Sequence, residues 1–585
     1  MVQNLRRKLP SYNLYNTTNL DDLRDSILGS TDNYVAVDTE TTGLHWTVNK
    51  AFGVSLAWDD KAIFIRNTDF GTENIGTFIN DLFASTAKTY VFHNSEFDLH
   101  MMRETYGASI PKKILDTQRL SHLIDPRPPH GLKELSEGIF GPVATATEDT
   151  IKAYIKQYRL KGYHQVPPEF MDAYAAMDTV LTKALAHIFM QELSREPVDT
   201  QMLCRYEHKL IPILLKMEQN GIKIDIEYVN KLLKEKRIEQ RTIQDDIYDI
   251  VGMPIAVSSN KQLSEYLYDY LKIEPPKETE SGQRSVDENS LQKIDHPIGT
   301  KVSELVVRWR NLDKLCSTYL EPYKDLSSDR IHPHWNATGA RTGRFSSSSP
   351  NLQNIPKNNS VRRMFIPDNE YYDFDFAQVE LRLMAHFAKQ HNMIEAFRAG
   401  EDLHSTAASL VFNKEMDAVS KTERQIGKTL NFSVIYGSGN KGIQEKLGLS
   451  REQATTIINH YYSAYPQIRA KINSITKDGE RDGYVRTIFG RKLPVDPAKA
   501  YTATNYLIQG TAADVIKIAL AKVAPYVDSI GGTISNTVHD EILFDHVNEQ
   551  QGEEIRSIME DFKFDVPLKA DLQRSSVSWG DLIDE

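Results

Sequence analysis

The segment DFDFAQVELRL, residues 373–383, sets Asp373, Asp375 and Glu380 into an alternation of charged and apolar side chains that predicts a strand lying against a core. A second acidic group, VHDEILFD, holds His539, Asp540 and Glu541 between two apolar runs, the pattern of a tight hairpin that carries a carboxylate to the edge of a sheet. The two segments lie more than 150 residues apart and are expected to pair in one sheet. Asp375 beside Asp540 is repulsive unless cations lie between them. Two divalent ions about 3.5–4 Å apart would relieve that repulsion, and such a pair activates an attacking oxygen and stabilises a leaving one in phosphoryl transfer. Taken singly, either acid reads as a solvated turn residue.

A third segment supplies the complementary charge. SKTERQIGKTLNFSVIYG opens with a capping box, Ser420 with Glu423, and ends on Gly437, a residue suited to the position after a helix. Within it Arg424, Lys428, Phe432 and Tyr436 recur every four residues, on one slowly spiralling helical face. Two cations and two aromatics on one stripe suit a triphosphate at one end and a base and sugar at the other. An ordinary surface helix with snorkelling basic residues gives such a stripe more often. Gly427 in the helix interior costs about 1 kcal/mol, so a neighbour is expected to pack closely against it.

The elements that must carry these groups fall into two regions. From Tyr34, YVAVDTETTGL and AFGVSLAWDDKAIFI read as strands, and strand and helix patterns then alternate to about residue 195, predicting an α/β domain that ends near SREPVDT. A period of two puts Asp38 and Glu40 on one strand face. VFHNSEFDLHMM adds Asp98 at the start of a helix, and YAAMD places Tyr174 and Asp178 four apart on one helical face. Beyond the boundary, LCRYEHKLIPILLKMEQNG predicts a long amphipathic helix closed by Gly221, KLLKEKRIEQRTIQDDIYDI a second and highly charged one, and KIEPPKETESGQRSVDEN an exposed hairpin or loop tip. Residues from about 396 to 475 are mainly helical.

A chain of 585 residues exceeds one core, so at least two domains are expected, and 40% hydrophobic with 25% charged residues is an ordinary globular balance. With a net charge of −11, a nucleic-acid binder would have to gather its Lys and Arg on one face. Cys204 and Cys316 lie far apart without metal-ligand spacing, which argues against a disulfide framework or a zinc site and suits a reducing compartment. The opening residues lack an apolar core segment, and no run of about 18 apolar residues occurs. A cytoplasmic protein without a membrane partner is expected.

Together these segments resemble the DNA polymerase I family, family A. DFDFAQVELRL, RQIGKTLNFSVIYG and VHDE match its three polymerase motifs in order. LIPILLKMEQNGIKID and RWRNLDKLCSTYLEPY resemble the helices entering and leaving the thumb, ARTGRFSSSSPNLQNIP the segment gripping the primer-template, GYVRTIFGRKLP the far end of the fingers, and NYLIQGTAADVIK a palm helix along the template. The acids Asp38, Glu40, Asp98 and Asp178, with Tyr174, resemble in this order the DEDDy 3′-to-5′ proofreading exonucleases.

The resemblance implies an α/β multidomain fold: an RNase H-like exonuclease domain over residues 1–195, then a palm, fingers and thumb right hand over 196–585, with the thumb at about 222–320 and the fingers at about 396–500. It makes Asp375, Asp540 and the Phe376 carbonyl ligands of two Mg²⁺ ions, with Lys428 acting in catalysis and Mn²⁺ able to substitute. Arg424, Lys428 and His404 would face the triphosphate, and Phe432 and Tyr436 would shape the nucleotide pocket. Glu380 would fill the space a ribose 2′-hydroxyl needs, and Arg344, Asn505, Gln509 and His539 would contact the DNA. The four N-terminal acids would hold a second Mg²⁺ pair while Tyr174 orients the attacking water.

Phe376-Ala377 stands where the family commonly has Tyr-Ser, Tyr501 where it often has Arg, and Leu507 where Pro is common. Asp373 is expected to be structural or to support the ligands from behind. With little of this sequence ahead of Asp38 no 5′-nuclease domain is expected, nor a long thumb insertion, an architecture that resembles compact bacteriophage replicative polymerases. The implied partners are primer-template DNA and dNTPs, with a replication helicase or primase as a further candidate, and the chain is expected to act as a monomer. The rival readings are a single-subunit RNA polymerase, an RNase D-like nuclease and a DNA-binding structural protein.

Overall fold

The computed structural model describes residues 7–279, 281–356, 359–436 and 440–584; Gly437, the expected helix end, lies outside them. The N-terminal region is built on six strands: β1 Asn13–Leu14, β2 Tyr34–Thr41, β3 Ala51–Trp58, β4 Lys61–Arg66, β5 Thr89–Phe92 and β6 Ile114–Asp116. They lie in the order β1-β4-β3-β2-β5-β6, with β2–β3 and β3–β4 antiparallel and the other pairs parallel. Alternation along β2 sends Val35 and Val37 into the core on one face, with Phe78, Leu99 and Met102, and Ala36 into the core on the other, with Leu120, Leu181 and Leu185. Helix α1, Ser95–Tyr106, belongs to the first face and α2, Pro168–Leu193, to the second. Asp38 and Glu40 share the Ala36 face by the same alternation, so α2 is the helix that brings Asp178 to them.

After a short break the chain enters α3, Val198–Asn220, closed by Gly221 at φ 62 as the sequence predicts. Its turns face two ways: Ile211 and Leu215 complete the core around Leu99 and Met102, whereas Leu210 and Leu214 join the core of the C-terminal region with Trp335 and Val515. Next come α4, Ile226–Val251, and α5, Gly299–Lys314, packed through Ile243, Ile247, Val302 and Val306. Between them a backbone bridge joins Glu278 to Arg284, in the stretch read as an exposed hairpin.

The C-terminal sheet has five antiparallel strands: β7 Tyr371–Phe376, β8 Thr533–Val538, β9 Glu541–Asp545, β10 Ala570–Ser575 and β11 Ile583–Asp584, in the order β8-β9-β7-β10-β11. The strand predicted over residues 373–383 ends at Phe376. Gln378 takes a left-handed φ of 51, and helix α6, Val379–Ala388, begins at once. Its apolar residues Leu381, Met384 and Ala385 follow helical spacing and are buried. Glu380 therefore stands on a helix, one turn beyond the strand that carries Asp375.

Helices α7 Leu403–Phe412, α8 Lys421–Ile435 and α9 Arg451–Ala464 pack beside this sheet, and α10, Ala503–Ser529, runs through the core beneath it. The capping box of Ser420 and Glu423 forms in both directions. A Cβ at Gly427 would collide with the His404 carbonyl, so glycine is what lets α8 lie against α7. Among the described residues no helix is long and apolar enough to cross a membrane.

Candidate active sites

Antiparallel pairing of β7 with β9 places Asp375 opposite Glu541, and the Phe376 N–H donates to the Asp540 carbonyl at 3.1 Å. Asp375 and Asp540 thus meet at one end of the sheet, both half-buried. His539 occupies the left-handed position of the hairpin turn, φ 56, which ends β8 and restarts the chain as β9. Glu541 turns inward: it accepts from Trp579 Nε1 at 2.8 Å and pairs with Arg362 at 3.4 Å, whose guanidinium lies 3.9 Å from the Trp579 ring. Asp373 is buried, 4% exposed, in register with Leu543 and Gln573.

Three residues singled out from the sequence form one hydrogen-bonded chain. Glu380 accepts from Arg344 at 2.8 Å through one oxygen and from the Tyr436 hydroxyl at 2.6 Å through the other. Tyr436, just past the end of α8, has its pKa raised by burial and by Glu380. Its ring stacks on Phe432 at 6.3 Å, and Phe432 lies 5.8 Å from His404. At the other end of α8, Lys428 is exposed and Arg424 pairs with Asp402 at 2.6 Å. Asp402 also caps α7 through Ser405 and the His404 N–H; burial pushes its carboxyl up, but these partners hold it at about 2. Sequence reasoning passed over Asp402, although an Asp two residues before His404 is a recognisable helix cap. Asn505 and Gln509 are half-buried, one turn apart on α10, and Tyr501 is exposed just ahead of it.

The N-terminal acids are drawn more tightly together. Carboxylate oxygens of Asp38, Glu40 and Asp178 all lie within 4.8 Å of one another. Asp98 stands beside this trio, because it comes from α1 on the other face of the sheet, where it accepts from the Thr39 N–H at 3.0 Å and hydroxyl at 2.6 Å. Burial, and then neighbouring carboxylates, raise Asp38 and Glu40 well above the usual carboxylate range, and burial pushes Asp98 up to about 7. Lys133 ion-pairs with Asp178, and its ammonium lies 4.6 Å from the centre of the Tyr174 ring. No sequence pattern linked Lys133 to these acids.

The N-terminal acids suit a divalent cation. A cluster that raises its carboxyl pKa values is short of positive charge, and the Lys133 ammonium marks where a cation is accommodated. Hard carboxylate oxygens match Mg²⁺ or Mn²⁺.

The two regions meet over a buried ionic network. Glu207 on α3, 4% exposed, accepts from Lys517 at 2.9 and 3.1 Å and from Arg491, while Arg119 of the N-terminal region donates to its backbone carbonyl at 2.9 Å. Arg491 also binds Asp514 at 2.7 Å, and Asp514 accepts from Thr487 at 2.6 Å. Burial works against the charge on Glu207, yet Lys517, Arg491 and Arg119 hold its pKa far below the usual range. A second contact is Glu218, which takes His100 at 2.6 Å, His334 at 2.9 Å and the Trp335 N–H at 2.8 Å.

The chain belongs to DNA polymerase family A, whose model matches residues 226–581. Residues 14–194 match the model described as 3′-5′ exonuclease. DNA polymerase I of Chloroflexus aurantiacus is 32% identical over 542 residues, covering 87% of this chain and 56% of the relative. DNA polymerase I of a Synechocystis species is 30% identical over 596 residues, covering 93% and 59%. The chain thus spans less than two thirds of the length of these curated relatives. Among solved structures, the POL domain of Pol1 from M. smegmatis, in complex with DNA primer-template and dNTP, is 25% identical and superposes with a TM-score of 0.80 over 95% of this chain and 98% of that one.

Proposed function

We propose that this chain is a template-directed DNA polymerase that transfers nucleotides from dNTPs to a primer 3′-OH and proofreads with a 3′-to-5′ exonuclease. The observation that carries the reading is the β7–β9 pairing, which sets Asp375 beside Asp540 while Tyr436 ties the α8 stripe to Glu380 at the same end of the sheet. Residues 1–195 would form the exonuclease domain and 196–585 the polymerase hand. Asp375, Asp540 and the Phe376 carbonyl would hold two Mg²⁺ ions, and Asp38, Glu40, Asp98 and Asp178 another two. Such ions, or Mn²⁺ in their place, lower the pKa of the attacking oxygen and balance charge on the leaving one.

The protein's own groups do the rest. Lys428 and Arg424 neutralise the triphosphate, and for Arg424 this means exchanging or sharing Asp402. Glu380, clamped between Arg344 and Tyr436, presents a fixed bulk against a 2′-hydroxyl and favours deoxynucleotides. That gate distinguishes the chain from an RNA polymerase. Arg344, Asn505, Gln509 and His539 grip the primer-template, with contacts to the minor-groove acceptors that all base pairs share. In the exonuclease site Tyr174 orients the attacking water, and Lys133 yields its place on Asp178. The two buried, unpaired cysteines fit a reducing cytoplasm.

The test is a 5′-labelled primer annealed to a longer template, incubated with Mg²⁺ and the protein. Extension with dNTPs and stepwise shortening without them are expected. Shortening alone would contradict the polymerase reading, and extension alone the proofreading one.

A further inference from the structure

His404 opens α7 and is 5% exposed, with Asp402 on its own element and Arg424 and Lys428 on α8 acting on its charge. Its Nδ1 lies 3.2 Å from Nδ2 of Asn431, a fully buried residue of α8. The other contacts of that amide settle which atom donates. Nδ2 also lies 3.2 Å from the Leu403 carbonyl, which can only accept, and Oδ1 receives a 2.9 Å bond from the hydroxyl of Tyr461 on α9. A flipped amide would leave the Tyr461 hydroxyl to accept instead of donate, but would set the amide oxygen 3.2 Å from the Leu403 carbonyl, replacing a hydrogen bond by a repulsive contact of two acceptors. The nitrogen therefore faces α7. An amide nitrogen has no lone pair to offer, so His404 Nδ1 is the acceptor, and in the neutral ring the proton sits on Nε2.

We propose that Asn431, itself held by Tyr461, is a positioning residue that fixes His404 as the Nε2–H tautomer, so that the ring donates to an oxygen of the incoming triphosphate. The inference rests on the reading of the α8 stripe as the nucleotide pocket. A phosphate oxygen needs a donor, and the opposite tautomer would point a lone pair at it. Burial lowers the pKa of His404 and keeps the ring neutral, which makes the tautomer decisive. The relay crosses α9, α8 and α7 through side chains no more than 5% exposed, so it is set before substrate arrives.

The test combines a spectroscopic and a kinetic readout on the full chain. In ¹⁵N-histidine-labelled protein, with His404→Gln to assign the signal, the parent should show His404 protonated at Nε2 only, and Asn431→Leu should shift part of the population to Nδ1. Asn431→Leu should raise KM for dNTP roughly three- to tenfold, the value of one net hydrogen bond, with kcat little changed. Tyr461→Phe should raise it less. Unchanged primer shortening by both variants would mark a folded chain. In a His404→Gln background Asn431→Leu should add nothing. A parent ring protonated at Nδ1, or an equal rise in KM without the histidine, would overturn the proposal. A parent that extends no primer would instead overturn the polymerase reading, while the ring signal still decides the role of Asn431.

Discussion

The two acidic sites handle the same electrostatic problem in opposite ways. In the N-terminal region three carboxylates sit within 4.8 Å and a lysine of the same region already leans on one of them. In the C-terminal region two half-buried aspartates stand at the end of a sheet, and the cations proposed to complement them are on α8, where Arg424 is paired with Asp402. One site holds its compensation within a single domain; the other divides it between two elements. The difference teaches that the first already holds a cation of its own region, whereas on the proposed reading the second would be completed by the α8 cations and the phosphates they bind.

The sharpest way to break this comparison is within the N-terminal site. Asp178→Asn should lower primer shortening at least about a thousandfold and leave extension intact, as read on the same labelled primer. Loss of both activities would mean that the sites are not separate. Next comes the network that holds the two regions together. Glu207→Ala leaves Lys517 buried without its anion, with Arg491 and Arg119 keeping only Asp514 and Glu96, and should cost about 3–5 kcal/mol, read as a fall in the thermal unfolding midpoint. An unchanged midpoint would show that the network is dispensable.

At the divided site, Glu380→Ala removes the bulk held by Arg344 and Tyr436. Discrimination against ribonucleotides, the ratio of kcat/KM values, should then fall by about a hundredfold; an unchanged ratio would remove Glu380 as the gate. The smallest effect concerns the Glu218 contact. Burial opposes charge on both partners, but hydrogen bonds from His100 and His334 lower Glu218 from its ordinary 4.5, and the bond to Glu218 raises His334 from its ordinary 6.5. The glutamate's contribution is full above 4.5 and lost as pH falls through its lowered value; the histidine's is full below 6.5 and lost as pH rises through its raised one. The thermal midpoint difference between the parent and His334→Gln should therefore be largest at about pH 5–6 and shrink toward pH 9. A difference that grows with pH would contradict the pairing.

Much of this was legible in the chain because the signals are local. The period of two fixes Asp38 and Glu40 on one face, the apolar runs around Asp540 specify its hairpin, and Ser420 with Glu423 marks the start of α8. The turn at Gln378 was not legible, since apolar alternation in DFDF passes into helical spacing in VELRLM without a Gly or Pro to mark the change. Nor were the charge partners. Lys133 is 45 residues from Asp178, and Glu207 lies 310 from Lys517; such pairs exist only once α2 and α3 have packed. Asp402 and Asn431 were passed over, because their partners come together only where α7, α8 and α9 meet around His404.

The central claim, two chemically separate carboxylate sites in one chain, is tested most directly by crossing two variants with two readouts. Asp540→Asn and Asp38→Ala are each assayed for extension and for shortening of one labelled primer-template. The account predicts that Asp540→Asn shortens without extending and that Asp38→Ala extends without shortening. Either variant losing both activities while remaining folded would contradict it.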